Sequence, residues 1–279
     1  MLDHTIFLSL EDFGKVLPSY EEIAIGVDLD PDVDEVYRET RDELKRYLMQ
    51  HREAKSGKSS FMGAYLQWAL GWQNVPFIET KIIHNQRGLD GKVRPHVVKA
   101  LPTFDADRIY AKEQALIDLL KDELSAGRRC VVYLRQTQKN DLQPRLESLI
   151  RQHVPGAIPF VLRNTVNAEK REALIEKQLT AGMNVLICNP ELVKTGLDLL
   201  LTPTLVFYEI TLSLSTMMQA AARAYRLNQR DDCKTVYLFA RGTFEQSAVQ
   251  LMSRKQRAAK LLMGSAGVSG LDAVRRVAA

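Results

Sequence analysis

The stretch from Ala157 to Cys188, AIPFVLRNTVNAEKREALIEKQLTAGMNVLIC, decides the fold. Its two ends are short apolar runs, AIPFVL and NVLIC, without the alternation of a strand that keeps one face wet. Between them runs an amphipathic helical pattern, opened by Asn167, whose side chain can cap the first turn. Apolar strand, amphipathic helix and apolar strand predict parallel strands joined by a crossover.

The alternation extends both ways. Upstream, the helical pattern YAKEQALIDLLKDELSAG gives way at Gly127 to CVVYL. A polar break, RQTQKN, leads into DLQPRLESLIRQHV, where Asp141 can cap and Pro144 is tolerable only in the first turn. Downstream, the loop NPELVKTGLDLLLTP precedes a strand TLVFYEI, a helix SLSTMMQAAARAYRLNQ, a strand KTVYLFA and a closing helix ended by Gly264. Residues 103–264 therefore read as one α/β domain, a parallel sheet with helices on both faces. Residues 1–102 read as a mainly helical region, with a charged helix at DPDVDEVYRETRDELKRYLMQHREA, a second at SSFMGAYLQWALGWQ, and possible short strands between Ile78 and Leu101. The final segment, 265–279, reads as a flexible tail.

A formal charge of +4 and a pI near 8.9 permit a polyanionic partner without requiring one. Cys130, Cys188 and Cys233 are far apart, and two of them sit in strand-like runs, so reduced thiols in a cytoplasmic protein are expected. No pair of them has metal-ligand spacing, the five histidines are scattered, and no metal site is expected. Nothing approaches the ~18 apolar residues of a membrane span.

REAKSGKSS imitates a phosphate-binding loop at Gly57, Lys58 and Ser59, but Arg52 stands where the first glycine is required. A charged helix delivers the segment instead of a buried strand, and it is read as a link between helices. The run IAIGVDLD, ending in Asp28, precedes the supposed loop and does not rescue it.

Chemistry concentrates in two places. On a helix, Gln219, Arg223 and Arg226 fall within a ~60° arc, with Ala220, Ala221, Ala222 and Ala224 over most of the remaining surface. Adjacent guanidiniums require an anion between or beyond them, supplied by a ligand, by solvent or by Glu209. Earlier, LVKTGLDLL places Thr195, Gly196 and Asp198 after a buried parallel strand, where α/β sheets bind ligands. There Gly196 permits close backbone approach, Thr195 can contact a phosphate and Asp198 can accept from a ribose hydroxyl.

Together and in this order, the two segments resemble motifs V and VI of the second RecA-like lobe of a superfamily 2 helicase, of the Swi/Snf-type DNA-dependent ATPases and their bacterial DEAD/DEAH-box relatives. LVKTGLDLL resembles motif V, and QAAARAYRLNQ has the Q-x-x-x-R-x-x-R spacing of motif VI. CVVYLRQT resembles motif IV, VNAEKREALIEKQ the helix after it, and LPSYEEIAIGVDLDPDVDEVY the segment following the first lobe, with IAIGVD a strand of the interlobe region. The resemblance covers roughly Leu17 to Gly264. Ala222 replaces a frequent glycine, and Asp198 a frequent asparagine.

The resemblance implies an ATP-dependent helicase or translocase that hydrolyses ATP between two lobes. Arg226 would be the principal arginine finger, Arg223 its companion, and Gln219 would orient the nucleotide or attacking water. Gly196 and Asp198 would contact ATP, whose phosphates and Mg2+ would be held mainly by a first RecA-like lobe, in cis or trans. That lobe's phosphate loop and Asp-Glu pair are not in this sequence, so the chain alone is expected to be inactive. Arg135, Gln136, Thr137, Arg163, Lys194 and Thr195 would grip DNA, or RNA, through its phosphates. The alternative is a non-catalytic lobe kept for binding nucleic acid or protein.

Overall fold

The computed structural model describes residues 18–51, 61–88, 90–137, 140–193, 199–226 and 229–262. The segment 52–60, the tail, and four candidate site residues (Lys194, Thr195, Gly196 and Asp198) lie outside them.

Six parallel strands form one sheet: β1 (Tyr20–Val27), β4 (Cys130–Tyr133), β5 (Pro159–Leu162), β6 (Val185–Cys188), β7 (Thr204–Phe207) and β8 (Cys233–Ala240), in the order β1-β8-β7-β4-β6-β5. The strands β4, β6 and β7 are buried at every position, as their uninterrupted apolar runs predict. Alternate residues feed two cores. Val131, Tyr133, Leu186 and Phe207 meet helices α5 (Ala168–Thr180), α7 (Leu214–Ala221) and α8 (Phe244–Leu262), while Cys130, Val132, Val185, Ile187 and Val206 meet α3 (Ala111–Ser125) and α4 (Gln143–His153). All three cysteines are buried free thiols. Each large apolar side chain so buried contributes roughly 1.5–3 kcal/mol.

Local signals behave as read, with small displacements. The Asn167 side chain accepts from Glu169 N–H at the start of α5. Gly127 turns the chain out of α3 with φ 74°. At α4 the cap shifts by one residue: Leu142 is the boundary, and Asp141 Oδ1 accepts from Gln143 N–H at 3.0 Å.

The N-terminal region contributes α1 (Pro31–Gln50), α2 (Met62–Gly71), a 3-10 turn (Trp72–Asn74) and an antiparallel ribbon, β2 (Lys81–Arg87) with β3 (Val93–Ala100). Its core is aromatic: Tyr37 stacks on Trp68 with ring centres 4.9 Å apart, and the Tyr37 hydroxyl donates to Ala69 O. The expected division at residue 102 is crossed by β1, which pairs in parallel with β8 along its whole length. IAIGVD is thus an edge strand of the large sheet.

Two buried ionic clusters lock helices to that sheet. Lys112 of α3 donates to both oxygens of Glu245 of α8 (2.7 and 2.9 Å) and to Asn74 Oδ1, while Asn74 Nδ2 and the Ala240 amide donate to the same carboxylate. At the other end of α3, Glu123 accepts from Arg128, Lys234 and the Thr204 hydroxyl. Burial raises the Glu123 pKa, but these three donors together outweigh it and pull the carboxyl from 4.5 down to about 2. A depressed folded-state pKa stabilises the protein above the unfolded value, and that stability disappears as pH falls from about 4.5 to about 2. Acid titration of unfolding free energy should therefore show a stability gap of about 3 kcal/mol between the wild type and Glu123→Gln near neutrality, closing across that window. A gap independent of pH would refute this assignment.

Candidate nucleotide and nucleic-acid interface

The strands end in a row. Tyr133 is in register with Cys188 and Phe207, Leu162 with Cys188, and Phe207 with Tyr237, so residues just beyond these positions share one edge of the sheet. Arg135, Gln136 and Thr137 follow β4 on that edge, and Arg163 follows β5.

A buried carboxylate shapes the β4 loop. Glu209, 2% exposed, accepts from the Arg135 and Gln136 amides at Oε2 and from the Gln136 side chain at Oε1, each at 2.7 Å. Gln136 Nε2 also donates to Gly71 O, and its oxygen accepts from Asn140. The Gln136 side chain is therefore spent inside the protein, and the residue positions the loop from within. Asn189 Nδ2, beyond β6, donates to Arg135 O. Arg163, half exposed, reaches Asp141 Oδ2 at 3.2 Å. Glu209 thus meets the β4 loop, whereas the sequence offers it as a partner for Arg223 and Arg226.

Glu209→Ala would leave the part-buried Arg135 and Gln136 amides without this acceptor, towards the low end of about 1–3 kcal/mol each. We expect a loss of roughly 2–3 kcal/mol in urea unfolding, with faster hydrogen exchange at the Arg135 and Gln136 amides. Unaltered exchange at those two amides would contradict the proposed hold.

The second cluster departs from the helix predicted through Gln219, Arg223 and Arg226. Helix α7 opens at Ser213, whose side chain accepts from Thr216 N–H, and ends at Ala221. The Ala222 amide still reaches Met218 O, but the Arg223 and Ala224 amides donate to Ala220 O and Ala221 O, so the last turn tightens before the chain leaves the axis. Later carbonyls are claimed from elsewhere: Arg223 O accepts from Leu199 N–H, and Ala224 O from Gln229 Nε2 at 2.8 Å. Arg223 O and Ala224 O thus serve tertiary donors just past the end of α7.

Gln219 consequently sits exposed in the last turn of α7, while Arg223 and Arg226 lie half-buried in the turn beyond it. Arg226 Nε donates to Ala222 O at 3.2 Å, folding its side chain back over this turn. Ala220, Ala221 and Ala224 pack into the core, which admits the turn to the sheet edge, whereas Ala222 faces solvent. The Leu199–Arg223 contact and the Gln229 bond to Leu200 O place the chain leaving the 194–198 segment directly against this turn. Gln229 is the organising residue that sequence patterns missed, and for Glu209 they offer a different partner, since the partners of both lie beyond their own elements.

This architecture defines a class: a RecA-like α/β lobe presenting a cationic turn beside its strand ends. Residues 111–228 match the helicase conserved C-terminal domain. Similar proteins include the chromatin-remodeling ATPase INO80 of Cryptococcus neoformans, 26% identical over 163 residues, and that of Mycosarcoma maydis, 24% identical over 181 residues. These matches cover 57% and 63% of this chain, and the chain spans only 9% of each relative. The fold is shared with the C-terminal part of the Fun30 ATPase domain, with a TM-score of 0.63 at 14% identity, covering 85% of this chain and 90% of that one.

Proposed function

We propose that this chain supplies the second lobe of an ATP-driven DNA helicase or translocase. The observation that carries this reading is the motif VI turn, which sits at the strand-end edge against the chain leaving motif V. Arg226 serves as principal finger toward the γ-phosphate, with Arg223 beside it and Gln219 orienting nucleotide or water. Gly196 and Asp198 complete the nucleotide contact. ATP and Mg2+ are held mainly by a first RecA-like lobe on another stretch of polypeptide. Two half-buried guanidiniums on a turn held open by Leu199 and Gln229 fit a polyphosphate presented from outside this lobe.

Arg135, Thr137 and Arg163, with Lys194 and Thr195, contact the phosphates of a nucleic-acid strand across the same edge, while Gln136 holds the loop in shape. Recognition through phosphates is sequence-tolerant and salt-sensitive. Three buried free thiols fit a reducing compartment such as the cytoplasm. Among the described residues, no helix is long and apolar enough to cross a membrane.

The test combines this chain with a first lobe bearing a phosphate loop, and follows ATP hydrolysis with and without DNA. Hydrolysis above that of the first lobe alone, further raised by DNA, is expected. DNA binding by this chain that no combination of first lobe and ATP affects would instead favour a non-catalytic binding module.

A further inference from the structure

The ribbon β2–β3 concentrates the basic charge of the molecule. Residues 81–100 hold Lys81, Arg87, Lys92, Arg94 and Lys99 against Asp90 alone, a formal +4 equal to that of the whole chain, so all other residues sum to zero. The ribbon is anchored along its inner side as far as Gln86, whose Nε2 donates to the Tyr47 hydroxyl at 2.9 Å. Ile82 and His84 are buried on its inner side, the Tyr47 hydroxyl lies 3.0 Å from His84 Nδ1, and Lys99 pairs with Glu43 of α1. Towards the tip, Gly91 to Val97 are exposed without a break.

The register sets Ile83 beside Val97, Asn85 beside Pro95 and Arg87 beside Val93 on the outer face. The apolar members of that row are bare: Ile83 is 37%, Val97 49% and Val93 57% exposed. A two-stranded ribbon gains little stability alone, and a row of exposed branched side chains on it marks a contact surface.

We propose that this ribbon inserts into the major groove of duplex nucleic acid, with Arg87, Lys92 and Arg94 meeting the flanking phosphates. The inference rests on reading the chain as a nucleic-acid-binding lobe and adds a contact separate from the strand-end edge. Two strands ~4.8 Å apart with their side chains suit a groove ~12 Å wide. The outer face and the tip from Gly91 to Val97 are exposed and can meet the walls of a groove. Valine and isoleucine methyls suit the apolar parts of base edges, and arginine forks suit phosphate oxygens. The existing ion pairs, Arg94 with Asp90 (2.6 Å) and Lys81 with Glu79 (2.8 Å), are exposed, worth at most about 1 kcal/mol, and easily exchanged for phosphates.

The experiment measures binding of this chain to a labelled duplex and to its single strand by fluorescence anisotropy across a salt series. It compares wild type, the triple variant Arg87→Ser/Lys92→Ser/Arg94→Ser, and the edge variant Arg135→Ser/Arg163→Ser. The triple variant should lower the duplex salt slope by about 2.7, roughly 0.9 for each lost phosphate contact, and weaken duplex binding at least ~10-fold at physiological salt. Its melting temperature and single-strand affinity should hold. An unchanged duplex slope in the triple variant, with binding lost in the edge variant, overturns the ribbon and leaves the lobe reading intact. Equal losses on duplex and single strand overturn the groove placement. No binding by the wild type overturns both.

Discussion

Replacing Arg226 with alanine is expected to lower lobe-dependent ATP hydrolysis about a thousandfold or more while leaving the fold unchanged. The size follows from where charge develops. In phosphoryl transfer the equatorial oxygens carry the transition-state charge, and a guanidinium fixed beside them in a water-poor cleft acts without reorganising. Arg226 is half-buried, with Nε on Ala222 O at 3.2 Å, and in the proposed finger role this turn would orient its charge before nucleotide arrives. Arg226→Lys should recover only part of the rate, because an ammonium cannot match a planar fork. Arg223→Ala should cost less. Both alanine variants should bind DNA with the wild-type salt slope. Hydrolysis undiminished by Arg226→Ala would remove the residue from the finger role.

A second large effect is expected far from the site. Glu245→Ala should destabilise the lobe by about 3–5 kcal/mol, because it strands the buried Lys112 ammonium. Both partners are essentially inaccessible, with side-chain exposures of 2% for Lys112 and 0% for Glu245. The loss extends beyond one ion pair: Asn74 Nδ2 and the Ala240 amide would lose their acceptor as well, leaving Lys112 only Asn74 and the face of the Tyr208 ring, 4.8 Å away. For a domain of this size the melting temperature should drop by roughly 10 °C. The double variant Lys112→Met/Glu245→Gln should unfold at a higher temperature than Glu245→Ala, since it strands no charge and retains an acceptor for Ala240. If the single variant cost less than about 1 kcal/mol, the pair would be no more than a surface-like contact.

What could be read in advance follows from how local each cause is. The strands were legible because burial on both faces demands runs such as CVVY and VLIC, and the caps at Asn167 and Gly127 act within one turn. The end of α7 was not legible. QAAARAYRLNQ continues a helical pattern, whereas α7 ends at Ala221, with the Arg223 and Ala224 amides turned to Ala220 O and Ala221 O and their carbonyls serving Leu199 and Gln229. Glu209 lay within reach of sequence reasoning as a carboxylate, but its acceptance of the Arg135 and Gln136 amides depends on β4 and β7 being neighbours. The pairing of β1 with β8 was hidden for the same reason, since no periodicity encodes a partner at such distance.

That pairing bears on how the chain is made. Tyr20 lies opposite Cys233, and Ser19 is hydrogen-bonded to Asp232 across 213 positions of sequence. On a ribosome adding ~5–20 residues per second, β1 waits roughly 10–40 s before β8 is synthesised. Over the last part of that interval, roughly 1–5 s, β7, the neighbour β8 will join, offers an open edge. Because parallel alignment tolerates no intermediate hairpin, completion of the sheet is a late, non-local event, and the nascent lobe passes through a state in which its first strand is a free ligand for any unpaired edge nearby.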